Sequence, residues 1–336
     1  MARITIADIA RRAGVSTGAV SYALNDRPGV SAQTREKILA IAAELGWQPS
    51  QAARALSGAR SETIGLILAR PPQTLGVESF YMQFVAGLEQ VLSGRSYGLL
   101  LQVVADVDAE IAAHLRWRAA RRVDGVVVVD PRRDDPRLAL LDGPDALPAV
   151  VVGDPSLAGG ATAVWTDDGA AVRECVRHLA ALGHRRIGRV SGTASFGHTR
   201  LRDTAFDDEV AAHGGTGRTE RTDFSPQEGA HATRVLLTGP QRVTAVVFDS
   251  DAMALAGLGV AHELGLRVPQ DVSLVAWDDS PLCTAAYPQL TALSHDVTAY
   301  GAHVARRLFD RMDGASPGSF LDATPRLRVR GSTGPA

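Results

Sequence analysis

Apolar positions in the first 46 residues recur at helical spacing in three short blocks, each fenced by a capping or breaking residue. Ile6, Ile9, Ala10 and Ala13 fall on one helical face, with Thr5 at the N-cap, Asp8 three residues on and Gly14 as the stop. Ser16 caps a second block with Val20 and Leu24 inward, and Asn25-Asp26-Arg27-Pro28-Gly29 then turns the chain. Ser31 caps a third, with Ile38, Ile41, Ala42 and Leu45 on one face and Gly46 closing it. Three short helices, the first two joined through a tight glycine turn, predict a helix-turn-helix head.

Beyond residue 60 the period changes. Near-continuous apolar runs stand at 63–69, 97–104, 125–129, 149–152, 187–191, 244–248 and 272–276. Helical patterns lie between them at 80–93, 108–120, 168–182, 200–213, 226–238 and 251–264. Runs that are apolar at successive positions predict strands buried on both faces, hence parallel sheets flanked by helices. The series runs twice, before and after residue 160, which predicts two doubly wound α/β lobes rather than one sheet. In a further helix near 297–312, Ala302, Val304, Leu308 and Phe309 read as lobe packing. Residues 49–56 allow two helical turns, too few to be stable alone in water. The expected division is a head at 1–48, a hinge helix and linker at 49–61, a two-lobed body at 62–330 and a tail at 331–336.

Composition narrows the class. No apolar run reaches about 18 residues, so no membrane-spanning helix and no membrane partner are expected. The N-terminus has no secretory apolar segment. Cys175 and Cys283 are too few for a disulfide framework or a zinc site and fit a reducing compartment, so a cytoplasmic location is expected. The overall charge of −2 hides an asymmetry: the first 60 residues carry eight basic and four acidic groups, which leaves −6 on the rest. A basic head on an acidic body points to a polyanionic partner for the head.

Enzyme signatures fail their context tests. The chain has no G-x-x-x-x-G-K, H-E-x-x-H or G-x-S-x-G, and Gly257-Leu258-Gly259 lies in a helical pattern rather than after a strand. His178 and His184 have no third ligand in register and read as a surface residue and a helix-end residue, while Asp207-Asp208-Glu209 reads as a solvated face. No catalytic residue, metal or cofactor is expected.

The head resembles the lactose-repressor (LacI/GalR) family of bacterial transcription regulators almost residue for residue. The match runs through Thr5-Ile6-x-Asp8-Ile9-Ala10, Ala13-Gly14-Val15-Ser16, Val20-Ser21, Leu24-Asn25, Val30-Ser31 and Thr34-Arg35. It continues to Leu45-Gly46-Trp47-x-Pro49 and Ala53-Arg54-x-Leu56. The resemblance implies that the helix opening at Thr17 enters the major groove of operator DNA, with Thr17, Gly18 and Tyr22 at the base-reading positions. Gly18 offers no side chain, so readout falls to Thr17 and Tyr22. Thr5, Ser16, Ser21, Asn25, Ser31 and Thr34 would donate to phosphates. Residues 49–56 would be the family's hinge helix, with Ser50 where Asn is common, Ala53 as its small residue and Leu56 as a minor-groove wedge.

In the body the resemblance is weaker and implies a periplasmic-binding-protein-like pair of lobes with an effector, expected to be a sugar, in the cleft. Arg202 matches an Arg-x-x-Gly-Phe/Tyr motif in which Ala205 departs, and Asp278 matches a Gly-Phe/Tyr-Asp motif in which Trp277 departs. Asp251 matches the second residue of Asn-Asp, with Ser250 replacing the Asn. A guanidinium and carboxylates near strand ends suit vicinal hydroxyls. Trp277 or Trp165 would lie against a sugar face, and Asp154, Asp167 and Phe80 are further candidates. The implied assembly is a homodimer on near-palindromic double-stranded DNA. The alternative, a sugar-binding protein without a transcriptional role, leaves residues 1–56 unexplained.

Overall fold

In the computed structural model, which describes residues 4–47, 60–70 and 78–336, the head forms α1 (Ile6–Ala13), α2 (Thr17–Leu24) and α3 (Ala32–Glu44). The caps are the expected ones. Thr5 donates from both its backbone N and its Oγ1 to Asp8 Oδ2, at 2.9 and 2.6 Å, and the Thr5 hydroxyl holds that carboxyl below the usual range. Gly14, at φ +70°, takes the left-handed turn that ends α1. The hydroxyls of Ser16 and Ser31 accept from the backbone N of Ala19 and Thr34. Ile9, Ala10, Ala13, Val20, Ala23, Ile38 and Ala42 form the buried core, and Leu24 and Leu45 pack half-buried at its margin.

Residues from Glu62 to Ala336 form a second compact unit. Its first sheet holds β1 (Thr63–Ala69), β2 (Gly98–Val104), β3 (Gly125–Val128), β4 (Ala149–Val152) and β5 (Thr162–Trp165), with α4 (Ser79–Gly94) and α5 (Val107–Ala119) between strands. The chain crosses to a second sheet through α6 (Asp168–Ala181), β6 (Arg186–Ser191), α7 (Gly197–Ala212), β7 (Thr216–Arg221), α8 (Pro226–Thr238) and β8 (Ala245–Phe248). There follow α9 (Asp251–Glu263), β9 (Ser273–Trp277), α10 (Pro281–Ala285), β10 (Thr291–Ser294), α11 (Val297–Met312), β11 (Ser319–Leu321) and β12 (Arg326–Arg328). The strand orders are β2-β1-β3-β4-β5-β11 and β7-β6-β8-β9-β10-β12, parallel throughout except for the β10–β12 pair. Each sheet therefore repeats one doubly wound order.

The two lobes share the chain three times: between β5 and α6, between β10 and α11, and between β11 and β12. α11 returns to the first lobe, where Val297, Tyr300, Val304 and Leu308 join the core built on Leu66, Phe84 and Leu88. There α4 and α11 cross at Gly87 and Gly301. A Cβ on either would overlap the backbone of the other helix, so only glycine fits.

Each expected strand forms to within a residue or two. Those not foreseen are β5, β7, β10, β11 and β12. β7 reads Thr-Gly-Arg-Thr-Glu-Arg and sits at a sheet edge, half in solvent, so no apolar run marks it. α7 starts at Gly197, ahead of the expected residue 200. Residues 331–336 are not a tail. Ser332 is fully buried, its Oγ accepts from Thr291 N at 2.8 Å and donates to Leu274 O at 2.6 Å, and Ala336 N donates to Leu182 O.

Candidate nucleic-acid interface and ligand cavity

On the head, Thr17, Gly18 and Tyr22 are exposed at the start and middle of α2, with Tyr22 45% accessible. Among the described residues, no hydrogen bond engages the hydroxyl of Thr17 or Tyr22. The candidate phosphate donors already have local partners: Asn25 Nδ2 donates to Ser21 O at 2.8 Å, and the hydroxyls of Ser31 and Thr34 lie 2.8 Å apart. These bonds fix the donors in place at helix starts and turns, where the backbone N–H groups also favour an anion. Arg35 donates to Arg27 O at 2.7 Å and pairs with Asp26, which braces the 25–29 turn. The hinge candidates Ser50, Ala53 and Leu56 lie outside the described residues.

In the body, the carboxyl ends of both parallel sheets open onto one cavity. Doubly wound sheets leave a crevice there, where strand order reverses. The first lobe contributes Arg70 after β1, Asp130 after β3, Asp154 after β4 and the start of α4. The second contributes Asp249, Ser250 and Asp251 after β8, Trp277 and Asp278 at the end of β9, and Arg202 from α7. Asp130 and Asp278 both have left-handed backbones, at φ +50° and +64°, a conformation Asp tolerates better than most residues.

Both guanidiniums in the cavity are engaged. Arg70 lies 3.1 Å from Asp130 Oδ2 and donates to Tyr81 Oη, which in turn donates to Asp130 at 2.6 Å. Phe196 and Phe224, from the second lobe, pack against Arg70 with ring centroids 4.3 and 5.1 Å from its guanidinium carbon. Arg202 donates from Nε to Asp168 Oδ2 at 2.9 Å, and Thr166 Oγ1 donates to the other oxygen of Asp168 at 2.8 Å. Asp249 is served from below by the buried Arg189, at 2.7 Å.

The remaining acids are less well matched. Burial and the nearby charge of Asp251 push the Asp278 carboxyl up to about 7. Burial likewise raises Glu78 to about 7 against the pull of Arg70, whose Nε is 3.8 Å away. Asp251 accepts from Ser79 Oγ at 2.9 Å, a contact that joins the lobes across the cavity. His198, 3.8 Å from Asp130 on the opposite lobe, is driven down to about 4 by burial and by Arg202, so it is neutral at pH 7.

The structure thus brings Arg202, Asp278, Asp251, Ser250, Trp277, Asp154 and Phe80 around one cavity. Their environments differ from the sequence expectation in several respects. Trp165 does not line the cavity; its Nε1 donates to Ser319 Oγ on neighbouring β11, while the next residue, Thr166, reaches the cavity wall. Trp277 is only 5% exposed and Arg202 covers one ring face, so it offers no open stacking face there. Ser250 caps α9 by accepting from Met253 N, Asp154 caps the turn at 155–157 by accepting from Ser156, and Asp167 caps α6. Arg70, Glu78, Tyr81, Asp130, Asp168 and His198 escaped the sequence reading. Arg70, Asp130 and Asp168 stand just past strand ends, the one signal that would have found them.

Elsewhere, His184 does close the end of α6, its backbone N donating to Leu179 O at 3.1 Å, but it is also buried, with Nε2 3.0 Å from both Ser273 Oγ and Gly334 O. Gly257 is a packing glycine, since a Cβ there would strike the Phe248 ring. Among the described residues no His/Cys/Asp/Glu group has metal-holding geometry.

Residues 5–50 match the family of bacterial regulatory proteins, lacI family, and residues 176–333 match a periplasmic binding protein-like domain. The HTH-type transcriptional regulator CelR of Thermobifida fusca is 32% identical over 335 residues, covering 93% of each chain. A solved complex of the transcriptional regulator CelR with cellobiose is 31% identical, with a TM-score of 0.74, covering 98% of this chain and 100% of that one. A lac repressor dimer bound to operator and the anti-inducer ONPF is 28% identical, with a TM-score of 0.85, covering 99% and 100%.

Proposed function

The chain belongs to the lacI family of bacterial regulatory proteins, and from that premise we propose that it is a DNA-binding transcriptional repressor governed by a small polyhydroxylated effector, a sugar. The observation that carries this reading is the pairing of a helix-turn-helix head with a cavity, open between the strand ends of two lobes, to which the second lobe brings Arg202, Asp251 and Asp278. Thr17 and Tyr22 read base edges from the major groove, and Thr5, Ser16, Ser21, Asn25, Ser31 and Thr34 seat the head on phosphates. Residues 49–56 act as the hinge, with Ser50 and Ala53 supporting the wedge residue Leu56. In the cavity, Arg202 donates to sugar hydroxyls and Asp278 and Asp251 accept from them, beside Phe80, Asp154 and Ser250.

The protein works in the cytoplasm as a homodimer on near-palindromic DNA, since two-fold symmetry presents two heads to two half-sites. Supporting a dimer, β2 is a sheet edge with Leu101 and Val103 exposed, and Tyr287 on the other lobe is 97% exposed. Among the described residues no helix is long and apolar enough to cross a membrane. The named relatives are regulators, and no catalytic step is assigned to this chain. Effector binding shifts the population of lobe arrangements, and by linkage the effector and operator affinities change each other reciprocally.

A thermal-shift screen of sugars and purines on the full chain tests the reading. A ligand at 100 times its Kd adds about 2.7 kcal/mol. The hit must then change the mobility shift of DNA from upstream of the protein's own gene. A ligand that binds with no DNA binding under any condition would favour a plain sugar-binding protein instead.

A further inference from the structure

The cavity carries more negative charge than its own cations neutralise. Seven carboxyl groups line it against two guanidiniums, Arg70 and Arg202. Arg70 is spent on Asp130 and Arg202 on Asp168, and Asp249 is held by Arg189. Asp154 is taken up by the backbone N and hydroxyl of Ser156, which leaves Glu78 from the first lobe and Asp251 and Asp278 from the second. Among the described residues, no cationic side chain pairs with Asp251 or Asp278, and no hydrogen bond reaches the carboxylate of Asp278.

Glu78 is the telling member. Its side chain is only 9% exposed, and its Oε2 is buried without a hydrogen-bond partner. It occupies the N-cap position of α4 yet caps nothing. Its nearest cation, Arg70, is 3.8 Å away and turned toward Asp130 and Tyr81. A buried acid oxygen without a hydrogen bond is costly, and a cation within hydrogen-bond reach answers that cost better than a neutral hydroxyl does.

We infer that the effector carries a cationic nitrogen on a polyhydroxylated skeleton, an amino sugar, whose ammonium group sits between Glu78, Asp251 and Asp278. This rests on the cavity being the effector site and specifies the class of effector. The ammonium draws one acid from the first lobe and two from the second onto a single charge, while Arg202 remains for the hydroxyls. Burial first, and then the neighbouring carboxylates, raise the titration of Glu78 and Asp278.

Matched pairs of probes test it on the full-length chain by calorimetry at pH 6.5–7: glucosamine against glucose, and fully deacetylated chitobiose against both cellobiose and N,N′-diacetylchitobiose. At least one amine binds tenfold or more tighter than its neutral counterparts. Glu78→Gln and Asp278→Asn each bring that ratio toward one, and added salt lowers it. Equal or tighter binding of the neutral partner overturns the inference, as does a preference that survives both substitutions. If no amine binds while a neutral compound from the wider screen does, the cationic class falls and the effector reading stands. If nothing in the screen binds or alters operator affinity, both fall.

Discussion

The guanidinium carbon of Arg202 lies 3.4 Å from the centroid of the Trp277 indole, so the cation is laid against the ring while its Nε donates to Asp168. A planar, delocalised cation stacks in this way and a lysine ammonium does not reproduce it. Arg202→Lys therefore keeps the charge and loses the orientation. We expect effector binding to weaken by about 1.5–3 kcal/mol, the worth of a charged hydrogen bond. Operator affinity without effector stays at the parent value. Calorimetry and a mobility shift on the same preparation check the two halves.

The crossing of α4 and α11 gives a stability prediction. Because a Cβ at Gly87 would overlap the backbone of Thr298, the helices must part to admit it. Gly87→Ala should cost about 1–3 kcal/mol, as overpacking does in a well-filled core. Urea denaturation of the full chain measures it, and a loss below about 0.5 kcal/mol, the ordinary scatter of surface changes, would show that the crossing has slack.

Glu78 and Asp278 set a pH dependence. Both titrate near 7, whereas unfolded carboxyls titrate near 4. An acid raised by folding stabilises fully below its unfolded value, and that stability is lost as pH rises through about 7. His198, held down to about 4, has the opposite trend, but it is common to parent and variant and cancels in their difference. The double variant Glu78→Gln, Asp278→Asn keeps the uncharged form at all pH. Its Tm should match the parent's at pH 4.5 and exceed it by a growing margin up to pH 8. A constant margin would contradict the assignment.

Much of this architecture was legible because burial leaves a mark on composition. β3, β4 and β8 are buried at each position and announce themselves as apolar runs. β7 and the three-residue β11 and β12 sit at sheet edges, where polar residues serve as well, so nothing in their composition marks them. The cavity was half visible. Arg202, Asp251 and Asp278 carry motif resemblance, whereas Glu78, Asp130 and His198 gain meaning only when two sheets from distant parts of the chain face each other. Trp165 misled because a tryptophan near a strand end suits a sugar, yet its ring is turned to Ser319 on the adjacent strand.

On the head, Tyr22 is exposed on α2, and its hydroxyl has no hydrogen-bond partner among the described residues. Tyr22→Ala should relax base preference at one or two operator positions by about 1–3 kcal/mol each, leaving the rest of the site unchanged. Affinities for a set of single-base operator variants check this. Uniform weakening across the set would make Tyr22 a phosphate contact.

The central claim is that ligand in the cavity and DNA on the head are coupled. Its most direct measurement is the Kd of the full-length chain for an operator selected from randomised duplex DNA, with and without saturating effector, in the parent and in Asp278→Ala. The account predicts the same Kd for both proteins without effector. Effector then shifts the parent by about 5- to 150-fold, a coupling of 1–3 kcal/mol, and leaves the variant unmoved. A selection that yields no near-palindromic site, or an effector that binds the parent without changing its operator Kd, would contradict it.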